Sequence, residues 1–267
     1  MCKVMGIVNV TPDSFSDGGK FNSPEEAVRR ARNIAEEGAD IIDVGGESTR
    51  PGATPISWEE EWDRIGLVVE GLCGGDNSRV EHVERVEGLG FVLSVDTYHP
   101  ETAERAVKCG ATIINCVYSE PIPAMLEILE RNPGVELVAP SKWFDGVEHD
   151  AGQPDGGSRL SAICSRFADR LYIDPMIGFG TTREEDLDIL RSIPELAKRG
   201  RVLVGASRKR IVKRLTGEKV TGKDLAGNLT MALWAAMNGA SVVRVHDVRE
   251  TVQALKVLSV LRGEASL

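Results

Sequence analysis

Short apolar runs alternate with longer amphipathic segments along the whole chain. Eight runs are nearly all apolar and rich in β-branched residues, which is typical of parallel strands buried on both faces. They cover residues 4–10, 41–44, 91–95, 112–115, 135–139, 171–173, 202–205 and 241–245. Between them, residues 25–37, 100–108 and 225–237 place apolar side chains at helical spacing. The pattern therefore predicts eight successive strand–helix units.

This alternation also predicts how the elements are arranged. Eight units at roughly thirty-residue spacing favour a closed (β/α)8 TIM barrel, with residues 1–267 forming a single domain. A doubly wound open sheet is the alternative, but no G-x-G-x-x-G follows the first strand, so the dinucleotide-binding fingerprint is missing. In a barrel, functional residues are expected at the carboxyl ends of the strands.

Two segments depart from the regular pattern. Residues 74–88 are polar and charged, and we expect them to bridge the second helix and the third strand. Residues 140–157 follow the fifth strand, are rich in Gly, Asp and Pro, and include Trp143 and Phe144. We expect this second segment to be a loop, either a lid or a disordered connection, with a short fifth helix at 159–169 after it.

The balance of charge narrows the choice of partners. Lys and Arg number 32 against 41 Asp and Glu, which gives a net charge of −9. Nucleic-acid binding normally needs a basic face, so a nucleic-acid partner is not expected. An anionic substrate would therefore need a local cluster of cations.

The cysteines and the apolar runs bear on location. Five scattered cysteines form no CxxC pair and no metal-ligand spacing, which is typical of reduced thiols packed as small apolar side chains. No apolar run approaches the ~20 residues of a membrane span, and the first residues lack the layout of a signal peptide. We therefore expect a cytoplasmic enzyme that does not bind a membrane.

Polar residues follow most of the predicted strands, at the point where each strand ends. Asp96, Asn115 and Asp174 end three of them and would converge in the mouth of a barrel. Carboxylate and amide oxygens together suit a ligand with several N–H donors, such as a guanidine-like heterocycle. The sequence therefore predicts a polar heterocycle deep in the barrel.

Cations and glycines stand near the same strand ends. Arg50, Lys209, Arg244 and His246 supply the local positive charge that an anion needs. The glycine-rich segments after the first two strands can bring backbone N–H groups close to phosphate oxygens. A phosphate or diphosphate is therefore expected nearer the rim.

Each of these residues also has a structural interpretation. Asp96 is equally compatible with a cap on the helix that follows it, and Ser207 taken alone favours a cap slightly over a site. His246 next to Asp247 is compatible with an ordinary helix start. The coincidence of so many polar strand ends on one rim favours a site over these separate interpretations.

Two long segments carry a resemblance to a known family. Residues 5–19 read M-G-I-V-N-V-T-P-D-S-F-S-D-G-G, and residues 42–52 read I-D-V-G-G-E-S-T-R-P-G. Shorter motifs follow in order at 94–97, 174–175, 178–179, 207–209 and 244–247. Over nearly its whole length the chain resembles the dihydropteroate synthase family, pterin-binding TIM barrels of folate biosynthesis.

The resemblance implies a reaction and a set of roles. A 6-hydroxymethyl-7,8-dihydropterin diphosphate would lose diphosphate, and p-aminobenzoate would take its place on the exocyclic carbon. The implied pterin-binding residues are Asp96, Asn115, Asp174 and Lys209. The implied diphosphate contacts are Thr49, Arg244 and His246, and the implied surroundings of p-aminobenzoate are Phe15, Arg50, Pro51 and Ser207. The implied Mg²⁺ ligand is Asn9, and the implied catalytic residues are Asp96, Lys209, Arg244 and His246.

The same resemblance implies how these residues act. The departing diphosphate is anionic, so Mg²⁺, Arg244 and His246 would stabilise its charge. If C–O cleavage runs ahead of attack, the exocyclic carbon becomes cationic, and the Asp96 carboxylate would stabilise it. The glycine-rich loops after the first two strands would close to exclude water. The family also implies a homodimer, for which residues 225–237 offer an apolar face.

Several positions depart from the family pattern and leave two alternatives open. Cys116 follows Asn115 where the family usually has Asp, and Met176 replaces the Gly of an Asp-Pro-Gly motif. Pro140 and Ser141 stand in place of a Met-His pair. The alternatives are a divergent member that joins a pterin to another amine, and a non-catalytic pterin-binding paralogue. A protein that only binds pterin has no need of metal and diphosphate groups, which this chain retains.

Overall fold

The chain forms a closed barrel of parallel strands whose order around the barrel is their order in the sequence. The structure is a computed structural model that describes residues 1–11, 23–49, 52–73, 90–151 and 165–266, of which 147–151 by their backbone alone. The strands are β1 (Lys3–Asn9), β2 (Ile41–Gly45), β3 (Val92–Asp96), β4 (Ile113–Asn115), β5 (Glu136–Pro140), β6 (Leu171–Asp174), β7 (Arg201–Val204) and β8 (Val242–Val245). Pairing of β8 with β1 closes the ring. All the predicted strands are present, with small shifts at their ends, and the predicted (β/α)8 TIM barrel is confirmed.

Helices surround the barrel. They are α1 (Pro24–Glu36), α2 (Trp58–Cys73), α3 (Pro100–Cys109), α4 (Ile122–Arg131), α5 (Ser141–Ala151), α6 (Arg183–Arg199), α7 (Arg210–Thr216), α8 (Leu225–Met237) and α9 (Val248–Leu261). The three helices predicted from apolar spacing are confirmed as α1, α3 and α8. A reciprocal cap starts α6, because Thr182 Oγ1 accepts from the Glu185 N–H (3.2 Å) and Glu185 Oε2 accepts from the Thr182 N–H (2.7 Å). Among the helices in the described ranges, none combines the length and apolar character needed to cross a membrane.

In the segment predicted as a loop at 140–157, every described residue belongs to a strand or a helix. Pro140 belongs to β5, and α5 begins at the next residue and runs to Ala151. Trp143 is buried in the core and meets Phe144 edge to face, with the ring centroids 5.0 Å apart. Packing of these rings outweighs the poor helix propensity of the Gly and Asp residues nearby, so the loop prediction was wrong for this part.

Other parts of these predictions lie outside the described residues. This is true of the bridging segment 74–88, of the end of the predicted loop, and of 159–164 in the predicted fifth helix. Residues 165–167 form a helical turn, and a 3-10 turn at Ala168–Arg170 leads into β6. Only the end of the predicted fifth helix is therefore described, and it is helical.

Side chains fill the barrel interior in layers. The middle layer is apolar and consists of Met5, Ile41, Ile113, Val138, Leu203 and Val242. Below it, toward the amino ends of the strands, Arg201 Nη1 donates to Glu136 Oε1 (2.6 Å), and its guanidinium lies 4.0 Å from the centroid of the Tyr172 ring. Because these two layers fill the amino end of the barrel, the next inward side chains along the strands face the carboxyl-end mouth.

Candidate active site

Arg244 crosses the barrel interior and joins three strands. From β8, its Nε donates to Asp43 Oδ2 on β2 (2.6 Å), and its Nη2 donates to Asp96 Oδ2 at the end of β3 (2.5 Å). The Asp43 side chain is fully buried, whereas 15% of the Asp96 side chain and 20% of the Arg244 side chain are exposed. Two charge-assisted bonds fix the orientation of the planar guanidinium, so Asp96 and Arg244 border the mouth as one rigid pair.

Asp43 is the centre of a buried polar layer. Its carboxylate also accepts hydrogen bonds from Ser94 Oγ (2.6 Å) and from Asn115 Nδ2 (3.1 Å). Asn115 Oδ1 is buried and has no hydrogen-bond partner among the described residues. A buried acceptor without a donor costs about 1–3 kcal/mol. Asn115 is therefore a place where the N–H of a ligand would be bound.

Asp174 ends β6 and holds the turn that follows. Its Oδ1 accepts a hydrogen bond from the Met176 N–H (2.7 Å). Met176 has a φ of 63°, in the left-handed region, which a residue with a Cβ adopts at a cost of about 1–2 kcal/mol. Glycine adopts this conformation without that cost, which explains the Gly of the family motif at this position. This chain keeps the conformation although it has a methionine there.

Lys209 reaches into the same turn from the loop after β7. Its Nζ donates to the carbonyl oxygen of Ile177 (2.5 Å) and lies 4.6 Å from the centroid of the Phe179 ring. Gly178 has a φ of 78°, and a Cβ there would lie 3.2 Å from Lys209 Cδ, so the turn fits closely around the lysine. The structure therefore brings the ammonium of Lys209 to the same part of the mouth as the Asp174 carboxylate, which influences its pKa.

Burial shifts the pKa values of these groups in opposite directions. Burial, reinforced by Asp43 and opposed by Arg244, raises the pKa of Asp96 to about 7. Burial also raises the pKa of Asp174, although Lys209 opposes the rise, and it lowers the pKa of Lys209 to about 8. Burial opposes the charge on Arg244, but the two aspartates that it contacts outweigh burial and raise its pKa. The mouth therefore holds a permanent cation beside groups that titrate near neutral pH.

Ser207 and His246 connect the loops after β7 and β8. Ser207 Oγ lies 3.1 Å from His246 Nδ1 and accepts from the His246 N–H (3.3 Å). Ser207 does not cap α7, whose flanking residue is Lys209, and Asp96 does not cap α3, whose flanking residue is His99. The capping interpretations of Ser207 and Asp96 were therefore wrong, because Asp96 pairs with Arg244 and Ser207 contacts His246 of the neighbouring loop instead.

Asn9 and Thr49 lie on the described rim. Asn9 ends β1 in register with Gly45 of β2. A Cβ on Gly45 would come within 3.2 Å of the Asp96 Cβ, so glycine leaves room at this point of the mouth. Thr49 is partly buried in the loop after β2. Three predicted residues of the site lie outside the described residues, namely Phe15, Arg50 and Pro51.

The sequence reasoning missed two buried carboxylates, Asp43 and Glu61. Glu61 of α2 is fully buried and accepts from the Thr97 hydroxyl (2.6 Å), and burial raises its pKa. Asp43 stands inside the apolar run I-I-D-V-G, on the inward face of its strand. A charged residue within a run that is otherwise buried needs partners, and this signal would have found Asp43. Glu61 has no comparable signal, because acidic residues are common in the first turn of a helix.

Glu47 was also missed, although it lies in the segment that carries the family resemblance. It accepts from the Tyr98 hydroxyl (2.5 Å) and lies 3.1 Å from His99 Nε2. The Ile56 N–H donates to the same carboxylate (3.3 Å). These contacts tie the loop after β2, which contains Thr49, to the turn before α3.

The departure from the family pattern at Cys116 changes the core rather than the mouth. Cys116 is fully buried in the apolar core, and its Sγ donates to the Tyr118 carbonyl oxygen (3.4 Å). Burial raises the pKa of the thiol to about 12, so it is neutral. It packs as a small apolar side chain, while the neighbouring Asn115 keeps its bond to Asp43.

Comparison with known proteins gives a consistent result. The family model described as "Pterin binding enzyme" matches residues 5–141 and 165–246. The dihydropteroate synthase of Staphylococcus haemolyticus is 36% identical over 97% of this chain and 95% of its own length. The dihydropteroate synthase of Escherichia coli is 38% identical over 96% of this chain and 90% of its own length.

Solved structures of similar proteins agree with these matches. The structure of Xanthomonas albilineans dihydropteroate synthase with 4-aminobenzoic acid is 38% identical, covers 98% of this chain and 93% of that one, and has a TM-score of 0.79. The structure of the Xanthomonas enzyme in complex with 7,8-dihydropteroate has a TM-score of 0.76 at 35% identity, covering 98% of this chain and 94% of that one. The fold, the polar residues at the strand ends and the similarity over nearly the whole length all indicate the same family. The chain belongs to the dihydropteroate synthases among the pterin-binding enzymes.

Proposed function

We propose that this chain joins 6-hydroxymethyl-7,8-dihydropterin diphosphate to p-aminobenzoate, releasing diphosphate and giving 7,8-dihydropteroate for folate biosynthesis. The observation that carries this proposal is the buried polar layer above the apolar layer of the barrel. Asp96, Asn115 and Asp174 offer acceptors there, and Lys209 offers a donor beside them. A flat heterocycle with several N–H groups and a carbonyl group matches this set.

The pterin binds with its N–H groups toward the acceptors. Asn115 Oδ1 gains the donor that it lacks, which removes the cost of a buried unpaired oxygen. Asp96 and Asp174 accept from the remaining N–H groups of the pterin as carboxylates. Lys209 donates to a carbonyl or ring nitrogen of the pterin from the side of the Ile177 turn. The apolar layer below limits how deeply the ring enters.

Departure of diphosphate breaks the bond between the exocyclic carbon and oxygen, and the electron pair leaves with the oxygen. The carbon becomes cationic, and the Asp96 carboxylate stabilises this charge from the mouth. Arg244, His246 and Thr49 stabilise the anionic leaving group. The amine of p-aminobenzoate then forms the C–N bond and releases its proton to the diphosphate or to water. The lone pair of an arylamine is already nucleophilic, so no strong base is needed.

Mg²⁺ is part of the proposal through Asn9. No group of three or more His, Cys, Asp or Glu side chains within the described ranges could hold a metal ion. A single amide oxygen nevertheless suits Mg²⁺, which keeps several waters and is commonly held through substrate phosphates. The donor set therefore fits an ion that binds together with the diphosphate. When bound, such an ion would neutralise charge on the leaving group.

The p-aminobenzoate lies toward the rim in this proposal. Ser207 stands there beside His246. The proposal adds Phe15, Arg50 and Pro51, whose roles are inferred from the family resemblance. A guanidinium such as that of Arg50 is suited to the carboxylate of p-aminobenzoate, because the two groups form parallel hydrogen bonds.

The homodimer and the cytoplasmic location stay predictions. The α8 helix exposes 45% of Trp234 and 54% of Met237. Exposed large apolar side chains close together on one helix are suited to a contact with a second copy. Sedimentation equilibrium of the purified chain measures the dimer directly, and a monomer at every concentration would contradict it.

The function is tested by measuring diphosphate release from the dihydropterin diphosphate, with and without p-aminobenzoate and Mg²⁺. We expect release that depends on the amine, with dihydropteroate as the product. Release with another arylamine but not with p-aminobenzoate would favour the divergent enzyme. Binding without any release would favour the non-catalytic paralogue. Asp174→Asn should be strongly impaired, whereas Asp188→Asn, an exposed position on α6 paired with Arg191, should not.

A further inference from the structure

Arg208 stands between two residues of the proposed site but makes a different set of contacts. Its neighbours Ser207 and Lys209 contact His246 and Ile177 at the mouth. Arg208 itself has a φ of 58°, in the left-handed region that residues with a Cβ rarely adopt. Such a conformation persists only where the surrounding structure holds it.

Two residues from two other elements hold this conformation. The Arg208 N–H donates to Asn228 Oδ1 on α8 (2.9 Å), and Arg208 Nη2 donates to Asp247 Oδ1 after β8 (2.7 Å). Asn228 Nδ2 donates in turn to Asp247 Oδ2 (3.3 Å). The bonds form a closed triangle that connects the loop after β7, the α8 helix and the loop after β8.

The triangle is anchored at its buried corner. Asn228 is only 5% exposed, and its Nδ2 also donates to Asp224 Oδ1 (3.3 Å), directly before α8. The Arg208–Asp247 pair at the other side is partly exposed. A buried amide with satisfied donors has few alternative partners. The backbone at Arg208 is therefore held by a side chain whose own position is fixed.

The same two loops carry a second link next to the triangle. Ser207 and Arg208 are adjacent, as are their partners His246 and Asp247, so two neighbouring pairs join the loops. If φ at Arg208 changed to a negative value, the peptides on both sides would rotate. Ser207 and Lys209 would then no longer keep both of their contacts at the mouth.

We propose that Arg208, Asn228 and Asp247 form a positioning unit that holds the turn at Arg208 and so keeps Ser207 and Lys209 directed at the substrates together. The three residues act through these neighbours and do not touch a substrate themselves. The proposal rests on the proposed roles of Ser207 and Lys209, which the release assay on the unaltered chain tests separately.

Arg208→Gly is the sharpest variant, because glycine adopts positive φ freely, so the backbone conformation stays allowed while the side chain and its bond to Asp247 are lost. We expect a folded protein whose kcat/KM for both substrates is about tenfold lower, the effect of losing one charge-assisted hydrogen bond. Arg208→Lys keeps a charge beside Asp247 and should recover part of the loss. The double variant Arg208→Gly/Asp247→Ala should be no worse than the more impaired single variant, because each change removes the bond between Arg208 and Asp247.

Arg191→Ala is the matched control, because it removes an exposed ion pair with Asp188 on α6 and should leave kcat and KM unchanged. If the role is purely structural, Arg208→Gly and Asn228→Ala have lower melting temperatures, but kcat and KM stay at the values of the unaltered chain. This result would overturn the proposal. If the unaltered chain shows no amine-dependent release, the proposed function fails instead. Equilibrium binding of the dihydropterin diphosphate then gives the same comparison, and equal affinity in Arg208→Gly would still overturn the positioning role.

Discussion

Replacing Asp43 by Asn removes one negative charge from the barrel interior and keeps the shape of the side chain. The amide oxygen can still accept from Arg244 and Asn115, and the amide N–H₂ can donate to Ser94 Oγ. The hydrogen-bond pattern survives with one direction reversed, while Arg244 loses one of its two carboxylate partners. The variant therefore isolates the effect of charge at the centre of the polar layer.

The size of the effect follows from the contact between Arg244 and Asp43. A hydrogen bond to a charged group contributes about 1.5–3 kcal/mol, and a neutral one about 0.5–1.5 kcal/mol. The variant loses the charged acceptor but keeps the charged donor Arg244, so it loses at most the difference between these two contributions. Asp96 still pairs with Arg244 in the variant, so the difference of roughly 1–2 kcal/mol applies rather than the larger penalty for an unpaired buried charge. If this loss is felt in transition-state binding, kcat/KM falls about five- to thirtyfold.

The dependence of activity on pH gives a second, directional result. The pKa of Asp96 lies at about 7, and Asp43 contributes to that rise. Asp96 acts as a carboxylate, so kcat/KM falls as pH drops below this value. Without the charge of Asp43 the pKa of Asp96 is lower, and the acid limb of the profile moves to lower pH. The assay is kcat/KM for the dihydropterin diphosphate from about pH 5 to pH 9 in both proteins.

Asp188→Asn is the control, because the same change is made at a side chain that is 75% exposed. It should leave both the rate and the acid limb where they are in the unaltered chain. An acid limb that stays in place or moves to higher pH in Asp43→Asn would contradict the effect of the Asp43 charge on the pKa of Asp96. An unchanged kcat/KM in that variant would refute the positioning of Arg244 by Asp43.

Further substitutions test two residues of the site and one residue of the core beside it. Asp96→Asn should lower single-turnover rates by about a hundredfold or more, because a neutral amide does not stabilise a developing cation, and rates equal to those of the unaltered chain would rule the role out. Lys209→Ala should raise the calorimetric Kd of the dihydropterin more than it changes the Mg²⁺ requirement. It should also remove the alkaline limb of the pH profile of binding, which we expect near the pKa of Lys209, lowered by burial to about 8. An unchanged Kd counts against this role. Cys116→Asp should lower the free energy of unfolding by roughly 3–5 kcal/mol, because an unpaired carboxylate would be buried beside the Tyr118 carbonyl oxygen. Cys116→Ser should cost less in the same denaturant titration, and a more stable Asp variant would contradict this explanation.

The barrel and its rim could be predicted because a closed parallel sheet leaves a strong pattern in the sequence. Each strand is buried on both faces and reads as a short apolar run, and each run ends at the mouth, where polar side chains become useful. Asp96, Asn115 and Asp174 were expected together for this reason, and Lys209 joined them through the family resemblance; the structure places all four around one mouth.

The contacts inside the site could not be predicted in the same way. Arg244 lies 201 residues from Asp43 and 148 residues from Asp96 in the sequence, and no local pattern relates positions so far apart. The left-handed backbone of Met176 was likewise hidden, because methionine gives no signal for positive φ. The α5 helix was predicted wrongly because its Gly and Asp residues are typical of a loop, whereas the burial of Trp143 in the core stabilises the helix.

The most direct test of the proposed pterin site is a crystal structure of the chain with 6-hydroxymethyl-7,8-dihydropterin bound. We expect the ring to lie above the apolar layer and a ring N–H to donate to Asn115 Oδ1, with Asp96 and Asp174 accepting from the other donors of the ring. A ring bound elsewhere on the molecule, with Asn115 Oδ1 still lacking a donor, would contradict it.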